Sequence, residues 1–174
     1  YLEICRGNTV SAGCLAYYTK RESLWLAYHG LSLLLLAAIA EYDIRHRKIK
    51  NRAMFPFFFW CLLSIPVNLQ TGPIFPLFCI CEAVLGFLFG GLLLLLAAML
   101  SNNGVGGGDI KLAALLGILY GPYGVLFILA AASLSVLAFH ALERYFYCRK
   151  TLSLPFAPFL FLGSLMAVYL QCRL

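Results

Sequence analysis

Apolar runs of membrane-crossing length, broken only by short polar or glycine-rich segments, constrain this chain more than any other feature. They read as spans at Leu24 to Ala40, Ala53 to Leu69, Ile74 to Leu100, Leu112 to Leu142 and Pro155 to Leu170. In hydrocarbon each backbone amide and carbonyl needs a partner within the protein, and a helix supplies one residue by residue. Hydrophobic residues make up 63% of the 174 and charged residues 11%, with a mean hydropathy of +0.89. No soluble domain covers its surface with so little charge. The fold class is therefore all-α, a polytopic membrane protein. Residues 1–22 read as a polar amino-terminal tail, too polar to span and lacking the apolar core of a signal peptide. Residues 23–174 form one transmembrane domain. The chain opens on Tyr rather than Met, which fits a trimmed or partial chain.

Charge sets the orientation. The stretch Arg45 to Arg52 carries five basic residues and Arg144 to Lys150 carries three, so both are expected on the cytoplasmic side. This placement also accounts for the net charge of +6 without nucleic acid; membrane lipids are the expected partners of the basic loop. An even number of crossings must then separate Asp109 from Arg144. The run Leu112 to Leu142 is interrupted by Tyr120-Gly121-Pro122-Tyr123-Gly124, a helix breaker, and splits there into a short helix and a longer one. About nine residues reach only ~14 Å against a ~30 Å core, so the short helix needs protein or a wet pocket around it. The expectation is about six transmembrane helices with both chain ends outside. The alternative is five, with Leu112 to Leu142 as one kinked helix. The third run is longer than the core requires, which places Glu82 near the outer interface, where a carboxylate can snorkel.

Two carboxylates stand at span ends on the same face. Asp43 follows the first apolar run, and Asp109 follows Gly106-Gly107-Gly108 after the third. Ionisable groups at that depth cost several kcal/mol unless used or paired. Two aspartates sharing a site hold a single proton, so one can take a proton from water while the other polarises a carbonyl. The glycines before Asp109 permit φ > 0 and close approach of an extended substrate. Lys111 either tunes the pair or snorkels to lipid phosphate.

Other chemistries find little in the sequence. There is no Gly-x-Ser-x-Gly, phosphate-binding Gly-x-x-x-x-Gly-Lys or His-Glu-x-x-His motif. Seven scattered cysteines read as packing residues; Cys79-Ile80-Cys81 is too close for a relaxed disulfide and offers at most two soft ligands. His29 and His140 read as satisfied polar residues within the bundle, and His46 as part of the basic loop. No metal and no cofactor is expected.

Three separated features then converge: Asp43-Ile44-Arg45 through Ile49-Lys50-Asn51, Gly106-Gly107-Gly108-Asp109-Ile110-Lys111-Leu112, and Leu154-Pro155-Phe156-Ala157-Pro158-Phe159-Leu160. With them the chain resembles the type IV prepilin peptidases and their archaeal preflagellin relatives, membrane aspartyl proteases of the Gly-x-Gly-Asp class. The resemblance covers about residues 30 to 170. It implies a peptidase domain in the prokaryotic cytoplasmic membrane that removes a short basic leader from prepilin-like or pseudopilin-like precursors of type IV pilus and secretion systems. It implies Asp43 and Asp109 as the catalytic pair, supported by Gly106, Gly108, Lys111 and Asn51. Lys50 stands where the family usually has Pro, and Ala157 where it often has Gly. Long members also carry an amino-terminal domain with paired Cys-x-x-Cys and can methylate the new amino terminus; nothing in this sequence matches that domain, and the reading is of the short form. The rival reading is a non-catalytic membrane protein, either a small proton- or cation-coupled transporter or an inactive assembly subunit. Transporter carboxylates usually lie near the midplane at broken helices of repeated halves, whereas these two lie at span ends.

Overall fold

The computed structural model describes residues 12–46, 51–71, 76–100, 106–147 and 156–173. Among them every regular element is helical: α1 (Ala12–His46), α2 (Asn51–Thr71), α3 (Pro76–Leu100), α4 (Gly107–Tyr147) and α5 (Ala157–Arg173). The segments Ser23–His46, Leu77–Leu100 and Gly107–Tyr145 are long and apolar enough to cross a membrane, and Met54–Pro66 and Ala157–Gln171 are shorter apolar helices. Large apolar side chains such as Leu34, Phe59, Leu92 and Leu134 point outward, the arrangement of a bundle whose solvent is lipid. The backbone of α1 starts at Ala12, so the second half of the segment read as a polar tail is helical.

The breaker in α4 reverses the chain. Gly121 has φ 70 and ψ −179, a conformation that only glycine enters at little cost, and Pro122 follows, where its fixed φ starts a new helix without losing an amide partner. Packing on α3 gives the direction of each arm. Gly86 abuts Gly117 while Gly90 abuts Ala113, an antiparallel register; Gly86 also faces Gly121 and Gly90 faces Val125, a parallel one. A straight or gently kinked helix cannot meet both. The first arm, Gly107–Tyr120, therefore descends and the second returns, which gives six helical segments.

Enclosure of the short arm follows. Every residue from Leu112 to Tyr120 is buried, as a helix of roughly 14 residues and ~21 Å requires in a membrane. It is longer than expected because it starts at Gly107 rather than Leu112. Close contact needs small residues: a Cβ at Gly86, Gly90 or Gly117 would collide with backbone of the facing helix, and one at Gly163 on α5 would lie 2.6 Å from the Ile128 carbonyl oxygen. Such glycine-lined crossings drive helix association where no hydrophobic effect operates. Around the arm, Leu36, Phe57, Leu112, Leu116, Ile128 and Leu160 form the fully buried core.

Candidate active site at one end of the bundle

Asp43 stands in the penultimate turn of α1 on the stripe that packs inward. Leu36, Ile39, Ala40 and Asp43 share that face by helical spacing, and all four are buried, Asp43 at 6% exposure. A carboxylate so enclosed requires donors. One comes from the backbone N–H of Ala157, the first residue of α5, which hydrogen-bonds the Asp43 carboxylate. The start of α5 is set locally: Phe156 accepts from the amides of Phe159 and Leu160 at 3.1 and 3.2 Å. Pro158 sits in the first turn, where a missing N–H costs nothing. The unsatisfied amides and dipole of a helix start favour an anion, and α5 aims them at α1.

Asp109 occupies the third position of α4. Gly106 caps the helix, its carbonyl accepting from the amides of Asp109 and Ile110 at 3.0 and 3.4 Å. The Asp109 side chain folds back to accept the Gly106 N–H, the reciprocal half of a capping box. Absence of a side chain at Gly106 permits this, since a Cβ there would lie 3.1 Å from Asp109 Oδ2. Oδ1 is buried and has no hydrogen-bond partner among the described residues. The charge of Asp43 acts on the Asp109 carboxyl. The Asp109 carboxyl thus lies within electrostatic reach of Asp43, each of the two beside a helix start.

Several expectations need correction. The segment before Asp109 is not a hinge with φ > 0: among the described residues the positive-φ glycine is Gly121, while Gly107 and Gly108 lie in the first turn of α4. The glycines matter there for room rather than for handedness. His29 is buried, yet its Nδ1 has no hydrogen-bond partner among the described residues, so it is not a satisfied core histidine. His140 is exposed and lies 3.8 Å from Glu143. Lys111 is exposed and lines an apolar, lipid-facing groove with Ile110, Phe58 and Leu88. Asn51 opens α2, and residues 47–50 of the first motif lie outside the described residues. The Ala157 amide had no signature as a ligand of Asp43; the proline-rich start of α5 was the signal that marked its place.

A helical bundle of membrane-spanning length with a buried Asp43 and a half-buried Asp109 in electrostatic reach of it at one end defines the class, and comparison with known proteins narrows it. Residues 30–141 match the Type IV leader peptidase family, a stretch that contains both Asp43 and Asp109. The chain belongs to that family. It is 35% identical over 141 residues to the prepilin leader peptidase/N-methyltransferase of Bacillus subtilis (strain 168), covering 79% of this chain and 52% of that protein. The chain thus spans about half the length of this curated relative. No solved structure matches it.

Proposed function

We propose that the protein is an aspartic-type endopeptidase that removes the short basic leader from prepilin-like or pseudopilin-like precursors at the cytoplasmic face of a prokaryotic cytoplasmic membrane. The observation that carries this reading is that the charge of Asp43 acts on the Asp109 carboxyl although the two belong to different helices. Family membership and the name of the Bacillus subtilis relative support the substrate class.

The chemistry follows from one shared proton. The ionised carboxylate removes a proton from water as the water oxygen bonds to the scissile carbonyl carbon. The protonated carboxyl donates to the carbonyl oxygen and stabilises the charge that develops there. When the C–N bond breaks, the leaving nitrogen takes the proton gained from water, the re-forming carbonyl gives its proton back to the other carboxylate, and the pair returns to its starting state. Base and acid are roles of the pair, which titrates as a unit. Hydrogen bonds from Ala157 to Asp43 and from Gly106 to Asp109 hold each carboxylate in place while the proton moves.

Asp43→Asn and Asp109→Asn preserve shape and remove the titratable proton. Each purified variant is expected to insert and melt as the parent does and to cleave a model precursor at less than about a thousandth of its rate, the scale lost when a charge-handling group is removed. Cleavage by either variant within tenfold of the parent defeats the assignment.

A further inference from the structure

The end of the bundle opposite the two aspartates holds a second polar cavity. Its volume is about 320 Å³, within the range of small-molecule sites. His29 lies 14 residues before Asp43 along α1, so roughly 21 Å separates the two along the helix. The walls include Trp25 and His29 of α1, Glu82 of α3, and Ile118, Tyr120 and Tyr123 beside the reversal in α4.

Each wall offers acceptors. His29 is 4% exposed and lies between the rings of Trp25 and Tyr120, with centroids 4.3 and 5.2 Å away. Its Nδ1 is buried without a hydrogen-bond partner among the described residues. A buried, unmade hydrogen bond costs about 1–3 kcal/mol, a penalty that a ligand would remove once a turn of the enclosed ring brings Nδ1 to the cavity. Pro122 has no N–H to return to the Ile118 carbonyl one turn earlier. Glu82 is the charged side chain among the described lining residues, which include no lysine or arginine. His29, Cys79 and Glu82 all line the cavity, but among the described residues no three such groups converge as a metal site would need.

A cavity lined by a carboxylate, further acceptors and aromatic rings suits a cation that carries N–H donors. We propose that this cavity binds a primary ammonium group, paired with Glu82, donating to His29 Nδ1 and lying against the aromatic faces. The match is one of charge, hydrogen bonding and cation–π attraction together. With its proton on Nε2, His29 accepts at Nδ1. Tyr123 stands 84% exposed at the rim, the position of an interfacial aromatic at headgroup depth. Such an ammonium group is carried by an aminophospholipid headgroup or by a free amine.

Binding to the purified full chain in a zwitterion-free detergent tests this without reference to cleavage. The probes are ethanolamine, lysophosphatidylethanolamine, lysophosphatidylglycerol, tetramethylammonium and zinc chloride. Saturable one-to-one binding of at least one of the two amines is expected. Lysophosphatidylethanolamine binding at least tenfold tighter than ethanolamine identifies a headgroup site; comparable binding identifies a free-amine site. Glu82→Gln should weaken binding at least tenfold, and His29→Phe, which keeps the ring stack, at least threefold. Tetramethylammonium, which has no N–H, should bind the unaltered protein at least tenfold more weakly, a comparison that holds even where a variant fails to accumulate. No saturable amine binding, undiminished binding by a folded Glu82→Gln protein, equal binding of lysophosphatidylglycerol, or binding of zinc alone overturns the proposal.

Discussion

The backbone amide of Ala157 hydrogen-bonds the carboxylate of Asp43, so the first residue of the last helix fixes a side chain near the end of the first. Removing that donor tests the contact. Ala157→Pro deletes the N–H at a first-turn position that tolerates proline, and Ala157→Gly keeps it. A hydrogen bond to a charged group is worth about 1.5–3 kcal/mol, so Ala157→Pro should lower kcat/KM for a model precursor about ten- to a hundredfold. Ala157→Gly should stay within about threefold. Equal kinetics for the two variants, both folded, would remove Ala157 from the site.

A pair that shares one proton works only over a window of pH. Below its lower pKa both carboxyls are protonated and no base remains; above its upper pKa both are ionised and none can donate to the carbonyl oxygen. Activity should therefore rise and then fall as pH increases. Initial rates across a pH series in detergent, with stability followed in parallel, will show this. A rate that climbs to a plateau and holds until the protein unfolds argues for a single titrating group.

Gly106 and Gly107 separate two explanations of the glycine run. A Cβ at Gly106 would press on Asp109 Oδ2, whereas nothing lies within 4 Å of one at Gly107. Gly106→Val should cut cleavage at least tenfold by displacing the carboxylate. Gly107→Ala should leave cleavage within about twofold and stabilise the helix start by about 0.5–1 kcal/mol, visible as a small rise in Tm. The opposite ranking would restore the idea that these glycines act as a flexible hinge.

The reversal at Gly121 makes a topological prediction. In a background without native cysteines, single cysteines at Arg45 and Arg144 should react with an impermeant reagent from the same side of the membrane. A cysteine at Tyr123 should react from the other. Labelling of Tyr123 and Arg144 from one side would mean that the two arms of α4 do not return, and the six-segment fold would fail with it.

Much of this was legible in the sequence because lipid leaves a chain few choices. Apolar run length marks the helices, and the basic stretches Arg45 to Arg52 and Arg144 to Lys150 demand the reversal before any coordinates do. Asp43 and Asp109 stand out because a carboxylate at a span end has a cost that composition alone exposes. What stayed hidden was of another kind. The Ala157 amide is backbone, and backbone donors carry no residue signature until the fold aims them. The three glycines before Asp109 read as room for φ > 0 and a close substrate; the helix start there showed only in a capping interaction between Gly106 and Asp109. His29 looked like an ordinary interior residue because pattern can show burial but not an unmet hydrogen bond.

The docking of α5 on α1 also orders the chain's assembly in time. α3 and both arms of α4 follow one another directly and close on each other through Gly86, Gly90, Ala113 and Gly117, contacts of short sequence separation that form early as the chain emerges. The donor for Asp43 sits on α5, which leaves the ribosome after α1 to α4. Until that helix inserts, Asp43 lacks this donor, and a nascent chain carrying every other helix would hold its two aspartates without their final geometry. Insertion of α5 and completion of the site would then be the same event.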